Sequence, residues 1–398
     1  MTQLPYSVIR LKPKADARKI RHGAPWVFDN ELVLDRRTKA ISKGEIVLLE
    51  DADRAPMGLV GFNAESRISG RMLERNVNVP VDVAWFKAKL SKALEMRERL
   101  YSEPFYRLVH AEADGLPGVV IDRFGDTVVL QPNAAWAEMK LDALCEALLG
   151  LGGITTILKN SAGRARGLEG LDDVSAVLAG VAPSAPVPVK MNGATYMADL
   201  TGGQKTGIFF DQRDNQAFAA ELSQGADVLD VFSHVGGFGL AALAGGATSA
   251  LAVDASAPAL ELATEGAKAS GVSERFETRV SDAFDALVAL AEEGRTFDVV
   301  ICDPPAFAPS KKALDAGLRA YERIARLASV LVKDGGYLGL CSCSHAADLS
   351  KFRAASSRGI GRAGRTSQLI HTGFAGPDHP LMPQLAESGY LKALFYRL

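Results

Sequence analysis

The feature that most narrows the fold is a change of texture at about residue 190. From there onward, short apolar runs of strand length alternate with stretches of helical period, the pattern of a parallel sheet covered by helices on both faces. Residues 227–232, 251–254, 297–302 and 337–342 read as buried strands. Helices are predicted to open at 239–243 and to span 257–270 and 314–331. The last of these carries Leu318, Tyr321, Ile324, Leu327, Ala328 and Leu331 at helical spacing, and Gly335-Gly336 stops it. Residues 390–398 close the chain as a strand able to run antiparallel.

The preceding half reads differently. Up to about residue 75, short alternating runs are punctuated by Gly, Asn, Asp and Pro, which marks a small β-rich unit. A helix at 83–100, a strand-turn-strand pattern at 118–122 and 127–131, and a helix at 135–149 form an α+β stretch. Prolines 183, 186 and 188 make 180–188 the best linker. Three domains result, at 1–75, 76–189 and 190–398, in keeping with a chain of 398 residues.

The net charge of −2 conceals a polarity. Arg10, Lys12, Lys14, Arg18, Lys19 and Arg21 face only Asp16, and Lys351, Arg353, Arg358, Arg362 and Arg365 meet no acid before residue 378. Residues 221–300 hold thirteen acids against four cations. Such a distribution suits phosphates at the ends and a cationic cofactor in the middle, or simply an uneven solvated surface. No apolar run approaches the ~18 residues a spanning helix needs, so no membrane partner is expected. Four cysteines, unevenly placed, form neither a disulfide framework nor a zinc site, and a cytoplasmic protein without metal is expected.

Ligands of a doubly wound sheet sit beyond the carboxyl ends of its strands. The run Asp230-Val-Phe-Ser-His-Val-Gly-Gly-Phe-Gly239 occupies such a place, with Phe232 in the turn and Gly236 and Gly237 letting the backbone come close. Asp254 ends the next strand, where an acid accepts ribose hydroxyls, and Asp282 lies in a loop that would reach an adenine. The glycine spacing is not that of a pyrophosphate cradle, and Asp230 would repel a pyrophosphate. S-adenosylmethionine, with its ammonium and sulfonium, fits better.

Two strand ends carry the chemistry. Ile301-Cys-Asp-Pro-Pro-Ala-Phe307 and Leu340-Cys-Ser-Cys-Ser-His345 should end adjacent strands and open into one crevice. Asp303 with Pro304 and Pro305 can hold the polar edge of a planar heterocycle, and Phe307 can stack on it. Cys343 stands just past its strand, where its thiolate can add to C6 of a pyrimidine and make C5 nucleophilic. Cys302 reads as core, Cys341 as a strand residue sharing the face of Cys343, and His345 and His379 as site neighbours or structural histidines.

With these residues in place, the chain resembles the bacterial large-subunit rRNA cytosine-C5 methyltransferases of the RlmI type. Leu11-Lys-Pro13, His22-Gly-Ala-Pro-Trp-Val-Phe28 and Ser66-Arg-Ile68 resemble their N-terminal PUA domain. Glu112-Ala-Asp-Gly-Leu-Pro-Gly118 and Asp122-Arg-Phe-Gly-Asp126 resemble the connecting domain. Gly203-Gln-Lys-Thr-Gly-Ile-Phe-Phe-Asp-Gln-Arg213 resembles a segment that lies against the cofactor in the family, implying such contacts for Phe210, Asp211, Gln212 and Arg213. His234 stands where a Tyr is common. The resemblance implies an α/β fold, with a doubly wound, Rossmann-like S-adenosylmethionine methyltransferase domain behind a PUA domain and an α+β connector. It implies Cys343 as nucleophile, and Asp303 as the group holding the base and a further cofactor contact. Large-subunit rRNA would be the partner, docked through phosphate contacts from Lys12, Arg18 and Lys19, and a homodimer is compatible with it. Two other readings use the same residues: methylation of a guanine or exocyclic amine without a covalent step, and a non-catalytic RNA-binding assembly factor.

Overall fold

A computed structural model describes residues 6–202 and 207–398, so residues 203–206 of the predicted cofactor segment lie outside the described residues. The chain forms two compact units. One runs to Ser184 and includes Asp378–Ser388; the other comprises Ala185–Pro377 and Gly389–Leu398. No helix among the described residues is long and apolar enough to cross a membrane.

The second unit is built on a seven-stranded sheet: β1 (Asp227–Val231), β2 (Ser249–Asp254), β3 (Phe276–Val280), β4 (Phe297–Cys302), β5 (Val332–Ser342), β6 (Gln368–Gly373) and β7 (Lys392–Arg397). The order is β3-β2-β1-β4-β5-β7-β6. The first five strands are parallel, while β7 runs antiparallel to both β5 and β6. Helices α1 (Arg213–Glu221), α2 (Gly237–Ala244), α3 (Ala257–Ala269), α4 (Ala283–Glu292), α5 (Leu314–Leu331) and α6 (Leu349–Arg362) supply the connections. This is the doubly wound α/β fold, and its strand order reverses between β1 and β4, where such sheets bind ligands. The central strands are buried on both faces: Leu229, Val231, Val300 and Cys302 are all fully enclosed. A hairpin of Val187–Met191 and Ala194–Ala198 precedes the sheet, so the last two residues of the predicted linker are strand.

The first unit contains two five-stranded sheets. In one, the strands Val8–Arg10, Ile46–Glu50, Pro56–Phe62, Gly70–Glu74 and Trp26–Val27 lie side by side in that order. In the other the order is Ala176–Ala179, Thr156–Lys159, Thr127–Pro132, Val119–Phe124, Phe105–His110. The helix Val83–Leu100, capped by the Asp82 carboxylate, shares a core with this second sheet through Trp85, Phe86 and Leu90. The predicted helix at 135–149 is broken at Lys140 into Ala135–Met139 and Leu141–Leu149.

Of its two readings, His379 takes the structural one: it is not at the surface but buried in the first unit, with Nδ1 2.9 Å from Asp378 Oδ1 and its ring 4.9 Å from that of His110. The same cluster holds the fully buried Arg97, clamped by both oxygens of Asp114 at 2.7 Å and donating to the Asp378 carbonyl. With Arg107 beside it as well, burial drives the His110 imidazole down to about 2, so it is neutral at physiological pH. The basic stretch at 351–365 is not a free phosphate-binding face. Lys351 pairs with Asp348, Arg358 and Arg362 both pair with Glu322, and Arg365 donates to the carbonyls of Ser329 and Val332. The acids that neutralise the run lie outside it in sequence.

Candidate active site

The turn after β1 is strained in a way the sequence does not announce. Phe232 and His234 both take left-handed backbone conformations, with φ of 63° and 50°. Non-glycine residues adopt this region rarely, and such strain clusters at functional sites. Gly236, at φ 79°, caps α2. Asp254 stabilises the turn: its Oδ2 accepts from the His234 amide at 2.9 Å, and its Oδ1 accepts from the Ser256 amide at 2.8 Å. Both its oxygens therefore already carry one backbone bond, which fixes the carboxylate at the predicted place beyond β2.

Asp230 is completely buried, and its Oδ2 accepts from the amides of Phe238 and Gly239 at 3.1 and 2.8 Å. Half of the predicted cofactor anion is thus spent on the first turn of α2. Burial raises the carboxyl to about 7, against the pull of those two amides, and the nearby Asp254 charge raises it further. The other oxygen, Oδ1, is buried with no hydrogen bond, as are Ser233 Oγ on the same turn and Gln216 Oε1 on α1. Gln216 reaches this turn, since a Cβ on Gly237 would stand 2.7 Å from its Nε2. Buried polar atoms are almost always satisfied, so a group of unsatisfied ones around one loop is the signature of a polar ligand. An acceptor such as Asp230 Oδ1, buried beside a glycine turn, fits the ammonium end of S-adenosylmethionine. Gln216 and Ser233 were not legible as site residues, because nothing local distinguishes them.

The segment before α1 comes to the same turn. The ring of Phe209 meets that of His234 at 5.1 Å, and the Arg213 guanidinium lies 5.6 Å from the Phe210 ring. Phe210 and Gln212 are buried, and Asp211 Oδ2 accepts from the Tyr390 hydroxyl at 2.6 Å. Of this segment it is the ring of Phe209, next to the predicted Phe210, that meets the turn after β1, while Asp211 is tied to the residue two before β7. Asp282 is exposed beyond β3 and caps α4 through the amides of Phe284 and Asp285.

The second half of the site lies between β4 and β5, which are adjacent and parallel, with Cys302 opposite Leu340. The Asp303 amide donates to the Val231 carbonyl at 3.1 Å, so Asp303 leaves the sheet directly beside the end of β1. Pro304 is buried and Pro305 exposed. Cys343 is half-buried just past β5, with Sγ 4.0 Å from the Pro304 carbonyl oxygen. The thiol and the Asp-Pro-Pro segment thus come together beyond the ends of β4 and β5.

The serines on either side of Cys343 explain how it is held. Ser342 donates to the Tyr321 hydroxyl at 2.8 Å, and the Tyr321 and Ser344 hydroxyls lie 2.8 Å apart. Ser344 Oγ also accepts from the Ala308 amide at 2.9 Å, tying the loop after β4 to the loop after β5. All these groups are buried on one side, which leaves the intervening residue on the other. Cys302 and Cys341 are enclosed within β4 and β5, and burial among carboxylates pushes both thiols far up, so neither supplies a thiolate. Phe307 is not a free stacking platform. It is half-buried and packs against Tyr321 at 5.1 Å, Phe284 at 6.2 Å and Phe232 at 6.3 Å, so it forms a wall of the site.

The predicted phosphate contacts lie in the first unit. Lys12 is exposed and donates to the Asn30 carbonyl at 2.9 Å, Arg18 and Lys19 are exposed on the short helix Ala17–Arg21, and the Lys19 ammonium stands 5.6 Å from the Phe28 ring. Arg10 and Arg21 are paired with Glu50 and Asp51, so the cluster is less basic than its sequence suggests. Among the described residues no group of three or more His, Cys, Asp or Glu is placed to hold a metal ion.

Known proteins resemble this chain over most of its length. A family model described as S-adenosylmethionine-dependent methyltransferase matches residues 164–397, and one described as a PUA-like domain matches residues 9–75. A protein named ribosomal RNA large subunit methyltransferase I from Shewanella denitrificans is 34% identical, covering 98% of this chain and 99% of its own. One of the same name from Photobacterium profundum is 36% identical over 95% of this chain and 96% of its own. Among solved structures, a putative methyltransferase from Streptococcus mutans is 20% identical and superposes with a TM-score of 0.81 over 98% of this chain and all of its own. A putative methyltransferase complexed with SAH gives a TM-score of 0.82 at the same identity and coverage. At that identity the likeness establishes the fold.

Proposed function

Because this chain belongs to the family of the ribosomal RNA large subunit methyltransferase I proteins, we propose that it methylates C5 of a cytosine in large-subunit rRNA, with Cys343 as covalent nucleophile. One observation carries the cytosine assignment. Of the three cysteines in the second unit, Cys343 alone is partly exposed, and it lies beside the Asp-Pro-Pro segment at the ends of β4 and β5. A purine or exocyclic amine needs no thiol there, since such a nitrogen attacks a methyl donor directly.

Bound S-adenosylmethionine supplies an electrophilic methyl group. Asp230, Ser233, Gln216 and Asp254, with the segment from Phe210 to Arg213, would hold it around the β1 turn, and Asp282 would meet its far end. Pyrimidine C5 is too weak a nucleophile to take that methyl unaided. The Cys343 thiolate adds to C6, and the electron pair displaced from the C5–C6 double bond makes C5 nucleophilic. Asp303 holds the polar edge of the base, while Pro304 and Phe307 shape the wall of the pocket. Once C5 carries the methyl, loss of its proton to a base restores the double bond and expels the sulfur. Lys12, Arg18 and Lys19 contact phosphates, which set position rather than sequence.

The test is the identity of the product. Large-subunit rRNA incubated with the protein and labelled cofactor, then digested to nucleosides and analysed by mass spectrometry, should yield 5-methylcytidine. Label in methylguanosine would instead establish the direct reaction, and rRNA that gains no label would favour the non-catalytic assembly factor.

A further inference from the structure

The start of β7 places a lysine where neither its sequence nor its strand position suggests one. Lys392 lies in a run of residues that are enclosed on both faces of the sheet, and it is itself only 5% exposed. Its Cα pairs with Ser342, the residue before Cys343. Its ammonium donates to the Ser344 carbonyl at 2.7 Å and to the Ala347 carbonyl at 2.8 Å, the two carbonyls that shape the turn just past the thiol. A buried ammonium is expensive to hold unless it is well bonded, and a structural turn can be closed by a neutral donor. Carbonyl oxygens carry no net charge, so the full positive charge of Lys392 is left to act on its surroundings.

Resting on the reading of Cys343 as nucleophile, we infer that Lys392 is a positioning residue for methyl transfer, fixing the turn that carries Cys343 and setting a positive charge behind its sulfur. Burial pushes the Lys392 ammonium down, and the Cys343 and Asp348 charges push it back up. That coupling is mutual, so the ammonium favours the thiolate as much as the thiolate favours the ammonium. Titratable groups on the neighbouring elements are Asp303 after β4, Tyr321 on α5, Cys341 within β5, His371 on β6, Tyr390 leading into β7, and His345 and Asp348 in the turn itself, Asp348 being paired with the exposed Lys351. The carboxylates and the phenols oppose a thiolate or leave it unassisted, and His345 is exposed. Lys392 is the buried cation among these groups.

The experiment measures the thiol without needing turnover. The full-length protein, Lys392→Met and Lys392→Arg are alkylated with iodoacetamide across a pH series, and modification of the Cys343 peptide is followed by mass spectrometry. In Lys392→Met the midpoint of the alkylation profile should rise by about one pH unit, a several-fold slower reaction at neutral pH. Lys392→Arg should keep the midpoint near the wild-type value, which a merely structural role would not require. In the methylation assay, kcat should fall in Lys392→Met with little change in KM for RNA. Should Lys392→Met not fold, as judged by circular dichroism, Lys392→Gln keeps a side-chain donor without the charge and should show the same upward midpoint. An unchanged midpoint in the folded neutral variant would overturn the inference. Persistence of methyl transfer in Cys343→Ala would instead overturn the covalent mechanism and leave the alkylation result standing, so the two failures are distinguishable.

Discussion

Cys343→Ala should lose methyl transfer by about 10³-fold or more while its dissociation constant for S-adenosylmethionine stays within a few-fold of wild type. The size follows from the chemistry: without the sulfur at C6, C5 has no electron pair to offer, and no other group can take over. Cys341 is the nearest thiol in sequence but is enclosed in β5, opposite Ala393, with its thiol pushed far up by burial and by Asp303. The preserved cofactor affinity follows from placement, because the residues assigned to the cofactor surround the β1 turn while Cys343 extends beyond β5. The fold should also tolerate the change. The hydroxyls of Ser342 and Ser344 hold the loop through Tyr321 and Ala308, and the Cys343 side chain takes no part in those bonds. Steady-state methylation and calorimetric titration of the same preparation measure the two quantities, and substantial turnover would rule out the covalent step.

The second large effect concerns Asp230 and pH. Burial lifts this carboxyl from an ordinary 3.8 to about 7. The sign follows directly. Without a ligand the fold favours the protonated form, so the contribution of Asp230 to stability is full below its unfolded value near 4 and fades as pH rises through about 7. A cationic ligand beside Oδ1 favours the ionised form instead, so binding releases a proton at low pH and tightens as pH rises. Affinity for S-adenosylmethionine at pH 6 should therefore be roughly five- to tenfold weaker than at pH 7.5, given one proton per site. Asp230→Asn keeps an oxygen to accept from Phe238 and Gly239 but removes the charge. It should weaken cofactor binding at pH 7.5 by about 10- to 100-fold, the usual range for a hydrogen bond to a charged group, and flatten the pH dependence. Calorimetry at the two pH values measures both, and a wild-type affinity that does not change with pH would show that Oδ1 faces no cation.

Much of the catalytic unit was legible because its signals are local. The helix Leu314–Leu331 has the bounds that its apolar spacing predicts, as does β4, a buried run interrupted only by Asp298 and followed by Asp303. The helix Val83–Leu100 likewise begins at a capping aspartate. The elements that escaped notice lack such signals. Helix α6 contains Gly359 and Gly361 among serines and arginines, a composition of low helical propensity, and reads as a basic tail. Gly359 is there for packing: a Cβ would stand 2.4 Å from the Glu322 carbonyl of α5. Strand β3 is a mostly exposed edge of mixed character, with no alternation to mark it. The double glycine at 335–336 marks the end of α5, but it lies inside β5, which already begins at Val332.

The same division runs through the site. Cys343, Asp303, Asp230 and Asp254 stand out in the sequence because each lies at or beside the carboxyl end of a strand, where such sheets do chemistry. Lys392, Gln216, Ser233 and the Tyr321 hydroxyl do not, because their roles exist only through partners far away in sequence. Tyr321 reads as one more apolar position on α5, and only the fold brings Ser342 and Ser344 to its oxygen. Phe307 was over-read for the reverse reason: a lone aromatic beside a heterocycle site suggests stacking, while three neighbouring rings claim it for packing.

The covalent step is tested most directly with rRNA in which 5-fluorocytidine replaces cytidine. Fluorine at C5 cannot depart as a proton does, so the sulfur cannot be expelled once C5 has been methylated. With S-adenosylmethionine present, a protein–RNA complex stable to denaturing electrophoresis should accumulate, and digestion should locate the nucleotide on the peptide containing Cys343. RNA methylated by this protein with no such complex, or a complex joined through another residue, would contradict the account.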